Sequence, residues 1–232
     1  MRLDEDMHVH TTYSDGRNTV EEVIDIAKRR GLRRIGFADH VRASTSWLPK
    51  YVEHLRSARR WAGIEVVIGV ETKLLDTAGT LDMPTDQRGV ERLLVADHRL
   101  PINDELLGPR QVRERLDAGV LERSDVWSSL LTAYESCAAI QHALQLAHPL
   151  SFLGKVGIQE DEVPIRRLEH FARVLALHGV QVEVSERWQC PSPASLAVFA
   201  RAGVQLVAST DAHDARAVGR YEFVRCLDQS VA

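Results

Sequence analysis

The chain has 232 residues, 44% of them apolar and 27% charged, with a net charge of −4 when histidine is neutral. That composition is ordinary for a globular protein long enough to bury a full core without disulfides or a structural metal. The acidic balance excludes the basic excess of a dedicated nucleic-acid binder but leaves room for a small anionic substrate held by one or two local arginines.

Cys137, Cys190 and Cys226 are far apart and form no paired motif, so neither a disulfide framework nor a zinc-thiolate site is expected. Reduced thiols fit a cytoplasmic protein. The acidic start, MRLDEDMHVH, has no apolar run that would read as a signal peptide. No stretch approaches the roughly 20 apolar residues that a membrane span requires. No linker or repeat divides the chain, and residues 1–232 are read as one domain.

In chain order, the first candidate strand covers residues 6–9 and runs into His8 and His10, whose spacing of two puts both imidazoles on one side. Asp15 follows in Tyr-Ser-Asp-Gly. A helical pattern over 19–30, capped at Asn18 or Thr19, carries Val20, Val23, Ile24 and Ala27 on one face and stops at Gly31. The second strand, 34–38, ends in Asp39-His40, with Arg42 beyond. The third, 65–70, ends in Glu71; Lys73, Asp76 and the loop 79–90 follow it and are candidates to shape a pocket. The fourth, 92–96, ends in Asp97-His98. Residues 99–128 read as polar and irregular, a lid or a mobile surface insertion.

The fifth strand, 144–147, ends in His148-Pro149. A helix over 164–178 carries Leu168, Phe171, Val174 and Leu175 and stops at Gly179. The sixth strand, 180–184, leads to Arg187. A helix over 193–202 stops at Gly203, and the last strand, 205–208, leads to Asp211-Ala212-His213 and then Arg220. Short Val/Ile/Leu runs suit strands covered on both faces, and recurrent helix–Gly–strand units predict an α/β fold with a parallel sheet. Seven such strands favour a barrel, whose active face lies at the strand C-termini.

Nine His, Asp or Glu side chains stand at those termini: His8, His10, Asp15, His40, Glu71, His98, His148, Asp211 and His213. Imidazole and carboxylate suit Zn, Mn and Fe. One zinc needs three or four protein ligands, so this many donors points to a multinuclear centre. A lone His-x-His or strand-end Asp is weak evidence; the shared topological position carries the argument. His54, His142, His170 and His178 lie in helical patterns and are expected not to ligate. Asp39 and Asp97 precede candidate ligands and could orient imidazoles.

The motifs HVHTTYSDG at 8–16, RRIGFADH at 33–40, IGVE at 68–71, LLVADH at 93–98, AHP at 147–149, VEVS at 182–185 and STDAH at 209–213 resemble the PHP (polymerase and histidinol phosphatase) family, in family order. GTLDMP at 79–84 is similar to the segment that follows the family's Glu motif. The resemblance implies a distorted (β/α)7 barrel with a trinuclear metal centre. Carried over by motif, His8, His10, Glu71 and Asp211 would hold one metal, Asp15, His40 and His213 a second, and Glu71, His98 and His148 a third. Ala-Asp-His before residue 99 and Glu183-Val184-Ser185 depart from the usual family pattern. The first motif differs from the Cys-Gly-His form frequent in histidinol phosphatases, which points away from histidinol phosphate as the substrate.

The resemblance further implies a phosphoesterase using two or three divalent ions (Zn, Mn or Fe), with a metal-activated hydroxide attacking a phosphate monoester of a small metabolite. Asp15, Glu71 and His213 are the expected catalytic groups. Arg187, then Arg42 and Arg220, are the candidate phosphate forks. The alternative is a phosphodiesterase or 3′–5′ exonuclease using the same centre on nucleotides; a noncatalytic metal-retaining domain is the third reading. The expected partner is a small phosphorylated substrate, with neither membrane nor nucleic acid, and oligomeric state is not legible.

Overall fold

The computed structural model of the chain describes residues 1–231. Strand β1 (Glu5–Val9) is followed by helix α1 (Val20–Arg29), β2 (Arg34–His40), α2 (Leu48–Arg59), β3 (Glu65–Lys73) and β4 (Arg92–Ala96). Then come β5 (Leu100–Ile102), β6 (Glu105–Leu107), α3 (Pro109–Asp117), α4 (Arg123–Ile140), β7 (Leu144–Ala147) and α5 (Ser151–Lys155). A short 3-10 turn at Glu160–Glu162 precedes α6 (Ile165–Leu177), β8 (Gln181–Ser185), α7 (Pro193–Arg201), β9 (Gln205–Ser209) and α8 (Phe223–Val231).

Seven strands form one sheet in the order β1-β2-β3-β4-β7-β8-β9, every neighbouring pair parallel. The two edges meet where the His10 N–H donates to the Ala212 carbonyl at 2.9 Å and Ala212 N–H reaches the His8 carbonyl at 3.3 Å. The result is a nearly closed barrel of seven parallel strands flanked by helices, the predicted distorted (β/α)7 architecture.

Helix α1 shows how local sequence sets an element. Thr19 and Glu22 form a reciprocal capping box, with Glu22 N–H donating to Thr19 Oγ1 and Thr19 N–H to Glu22 Oε2. Val20, Val23, Ile24 and Ala27 are buried against the sheet. The chain leaves the helix through Gly31 at φ +74°, a left-handed exit that favours glycine.

Inside the barrel, Ala38, Leu94, Ala96 and Ala147 form a small apolar cluster apart from the main core. Ala38 and Ala96 stand two residues before His40 and His98 and therefore face the same way. Small residues keep the barrel narrow below the strand ends, where the polar side chains crowd. Asp6, on β1, accepts from Thr210 N–H (2.9 Å), Thr210 Oγ1 (2.6 Å) and Gly219 N–H (2.8 Å), tying the first strand to the segment after the last.

The region 99–128 differs from its expectation. It is ordered: β5 and β6 pair as an antiparallel hairpin, α3 follows, and α4 begins at Arg123. Asn103 and Asp104 turn the hairpin at φ +49° and +59°, as a two-residue turn with both central residues left-handed requires. Leu100, Ile102, Leu107, Val112, Leu121 and Val126 all enter the main core. Three-residue strands are too short for an alternation to stand out.

Candidate metal centre

All nine sequence-predicted side chains come together at the C-terminal ends of the strands. His8 and His10 leave β1 with their Nε2 atoms 2.9 Å apart. Asp211 Oδ1 lies 3.1 Å from His10 Nε2 and 3.6 Å from His8 Nε2. Glu71 Oε2 lies 3.6 Å from each of those nitrogens. These four atoms are the first predicted set, and they are buried.

Asp15 joins the second group. Its Oδ2 is 3.4 Å from His40 Nε2 and 3.3 Å from His213 Nε2, and its Oδ1 is 3.6 Å from His10 Nδ1. His10 therefore borders this group as well as the first, which the motif reading did not anticipate. In the third group, Glu71 Oε1 is 3.1 Å from His148 Nε2 and 3.6 Å from His98 Nε2. His40 Nδ1 also approaches Glu71 Oε2 at 2.8 Å, so His40 spans two groups. Glu71 lies at the junction of all three, because the β2–β3 register sets it directly beside His40.

The donors fit divalent cations. His8 Nδ1 lies 2.8 Å from Glu183 Oε2; with the proton on Nδ1, the Nε2 lone pair points at His10. Two imidazole nitrogens then face one another across 2.9 Å. His10 Nδ1 and Glu71 Oε2 are buried without a hydrogen bond; the His40 nitrogen near Glu71 Oε2 is within reach but poorly aligned. Buried polar atoms left unpaired are costly, and bound cations would relieve them.

The charges agree. Burial opposes protonation of His8, but the Glu183, Glu71 and Asp211 carboxylates outweigh it and raise its pKa well above the usual value. His148 is likewise opposed by burial yet raised to about 10 by Asp97 and Glu71. Burial resists ionisation of Glu71, and the surrounding imidazoles nevertheless hold its pKa well below the ordinary carboxylate range. Burial, with repulsion from His148 and His40, lowers His98 to about 4, leaving it a neutral donor. His148 and Asp211 both have φ +50°, left-handed backbone that costs a non-glycine residue about 1–3 kcal/mol and recurs at functional sites.

The two flanking aspartates divide. Asp97 faces His148 Nδ1 at 3.3 Å and accepts from Ser151 Oγ (2.6 Å) and Phe152 N–H (2.8 Å); the imidazole it orients is at the end of the adjacent strand β7, not its chain neighbour His98. Asp39 touches no imidazole. It accepts from the Thr11 and Ser14 N–H groups and hydroxyls and thereby shapes the loop that carries Asp15. Gly16 lets that loop close, since a Cβ there would lie 2.5 Å from the His10 carbonyl carbon.

The arginines border the cluster. Arg187 Nη1 is 2.7 Å from His213 Nδ1 and 3.3 Å from Asp211 Oδ2. Arg220 lines a cleft with Arg187, Asp211 and His213, and Arg17 and Arg216 line it too. Arg42 lines a smaller cleft on the opposite flank with His40, Glu71, Lys73 and His98. Sequence reasoning missed Arg17, Arg216, Glu183 as the support of His8, and Trp188, whose Nε1 donates to Asp211 Oδ2 at 2.8 Å. A carboxylate between two valines, in the middle of a strand buried along its whole length, was the available signal for Glu183. Of the remaining histidines, His142, His170 and His178 are exposed, and His54 pairs with Glu21 at 2.7 Å. His142 lies just past the end of α4, not within a helix.

Comparison with known proteins bears on the fold and the family. A stretch of 72 residues is 38% identical to a phosphoribosyl 1,2-cyclic phosphate 1,2-diphosphodiesterase of Eggerthella lenta, covering 31% of this chain and only 25% of that protein. A crystal structure of histidinol phosphate phosphatase from Lactococcus lactis, complexed with Zn, L-histidinol and phosphate, superposes with a TM-score of 0.68 at 17% identity, over 98% of this chain and 93% of the other. A histidinol phosphatase candidate from Listeria monocytogenes superposes with a TM-score of 0.72 at 12% identity, over 93% of this chain and 97% of the other. At such identities these two likenesses speak for the fold. The PHP domain model matches residues 6–186, ending before Asp211 and His213. With that match across most of its length, on a barrel whose strand ends gather the predicted donors, the chain belongs to the PHP domain family.

Proposed function

We propose that the chain is a metal-dependent phosphoesterase that hydrolyses a phosphate monoester of a small metabolite at a centre of three cation positions. The observation that carries this reading is the convergence of nine donors around Glu71, with one carboxylate oxygen toward His8, His10 and His40 and the other toward His148 and His98. When bound, divalent cations neutralise phosphate oxygens and lower the pKa of a coordinated water toward neutrality. The protein's own groups do the positioning. Glu183 and Asp97 fix the tautomers of His8 and His148. Asp15 and His213, partly open to solvent, form the rim where substrate would enter. Arg187, with Arg42 and Arg220 on the flanking clefts, would take the phosphate oxygens that the cations leave free.

A diesterase is the second reading, favoured by the short match to the Eggerthella cyclic phosphodiesterase. No helix among the described residues is long and apolar enough to cross a membrane, and the net charge of −4 disfavours long nucleic acid. The test is the metal-stripped chain reloaded separately with Zn²⁺, Mn²⁺ and Fe²⁺, assayed on p-nitrophenyl phosphate and bis-p-nitrophenyl phosphate and then on phosphorylated metabolites. Preference for the monoester with at least one metal supports the proposal. Preference for the diester moves the function to the second reading, and no turnover under any loading sinks both.

A further inference from the structure

Asp211 presents its two oxygens to different surroundings. Oδ1 faces the ring nitrogens of His10 and His8 at 3.1 and 3.6 Å. Oδ2 accepts from the Trp188 indole N–H at 2.8 Å and more loosely from Arg187 at 3.3 Å. The Asp211 backbone has a left-handed φ of +50°, which other contacts must hold in place. We propose that Trp188 is a positioning residue of the metal centre: its indole N–H fixes the orientation of Asp211, so that Oδ1 is presented to the His8–His10 pair. The inference rests on the ligand reading proposed above.

The surroundings of the ring extend this role. Lys155 Nζ lies 4.0 Å from the indole centroid, a cation–π distance. The same ammonium donates to Ser151 Oγ at 3.0 Å, and Ser151 donates to Asp97 at 2.6 Å. Asp97 in turn faces His148 Nδ1 at 3.3 Å. The His148 ring itself lies 5.6 Å from the indole. Lys155 and Trp188 thus join the support of Asp211 to the support of His148, two groups that border different cation positions.

The test is metal affinity, read on the full chain without reference to turnover. Trp188→Phe keeps a ring and removes the donor. After stripping, wild type and variant are titrated with Zn²⁺ alone and Mn²⁺ alone against a chromophoric chelator. The variant is expected to bind about 10- to 100-fold more weakly, the range seen when outer partners of metal ligands are removed. In an Asp211→Ala background, which removes the acceptor, Trp188→Phe should change affinity by less than about twofold, because the two act through one contact. The chain has four tryptophans, and the emission lost on removing Trp188 should be the metal-sensitive part. Equal affinity of wild type and Trp188→Phe, or an undiminished effect in the Asp211→Ala background, overturns the proposal alone. A wild type that takes up no metal overturns the functional reading and this proposal together.

Discussion

Replacing Glu183 with glutamine should weaken metal binding without unfolding the protein. Glu183 and His8 are both fully buried, and the 2.8 Å contact between Oε2 and Nδ1 is charge-assisted. Glutamine can still accept from His8 through its carbonyl, so the hydrogen bond survives while the charge is lost. The new amide nitrogen would take the place of Oε1, which has no hydrogen-bond partner, while Gln145 Nε2 approaches the retained oxygen at 3.4 Å. What disappears is the charge that makes the His8 imidazole basic at Nε2. Partners of this kind are worth about 10- to 100-fold in metal affinity, or about 1.4–2.8 kcal/mol. Competition with a chelator on stripped protein measures the affinity, and circular dichroism melting of the metal-free form checks the fold. Glu183→Ala, which leaves the buried Nδ1–H unpaired, should lose more. Affinity of Glu183→Gln within twofold of wild type, with normal melting, would refute the claim that Glu183 tunes His8.

Gly16→Ala forces a Cβ to within 2.5 Å of the His10 backbone and should displace the loop that carries Asp15; turnover falls by more than about tenfold if loop position matters as active-site geometry generally does, and wild-type rates would refute it. Arg187→Ala should mainly raise KM; unchanged kinetics would remove Arg187 from the phosphate site. In the metal-free protein, the folded state favours protonated His148, whose pKa is raised to about 10. That contribution is complete below the unfolded value of about 6.5 and is lost as pH rises through the folded one. The melting-temperature gap between wild type and His148→Gln, measured in chelator, should therefore shrink from pH 6 to pH 10, and a constant gap would contradict the His148–Asp97 pairing.

Much of this arrangement was legible because barrel strands advertise both their cores and their ends. The candidate strands at 92–96 and 144–147 match β4 and β7, and the others differ by one to three residues at an end, as at β3, which runs on through Glu71 to Lys73. Helices α2 and α4 were anticipated only as helical patterns around His54 and His142, without bounds. Helix α4 buries Val126, Leu130, Leu131, Ala133, Tyr134, Cys137 and Ala138 around a broad arc, so no single apolar stripe marks it, and α2 starts without a side-chain cap. The contacts of Trp188 with Asp211 and of Asp97 with His148 join residues far apart in sequence, and no local periodicity encodes them. Asp39 and Asp97 look alike in the sequence, each preceding a histidine, yet only Asp97 touches an imidazole.

The grip of Asp6 on Thr210 and Gly219 bears on how the protein is made. His8 and His10 emerge from the ribosome first, whereas Asp211 and His213 follow only after every other strand. A nascent chain halted before β9 would expose two unmatched imidazoles and an unsatisfied Asp6 carboxylate. The two donor sets that need Asp211 and His213 are therefore completed late in biogenesis, whereas the set of Glu71, His98 and His148 is not, and separately expressed pieces cut before β9 should regain the full metal complement only on recombination.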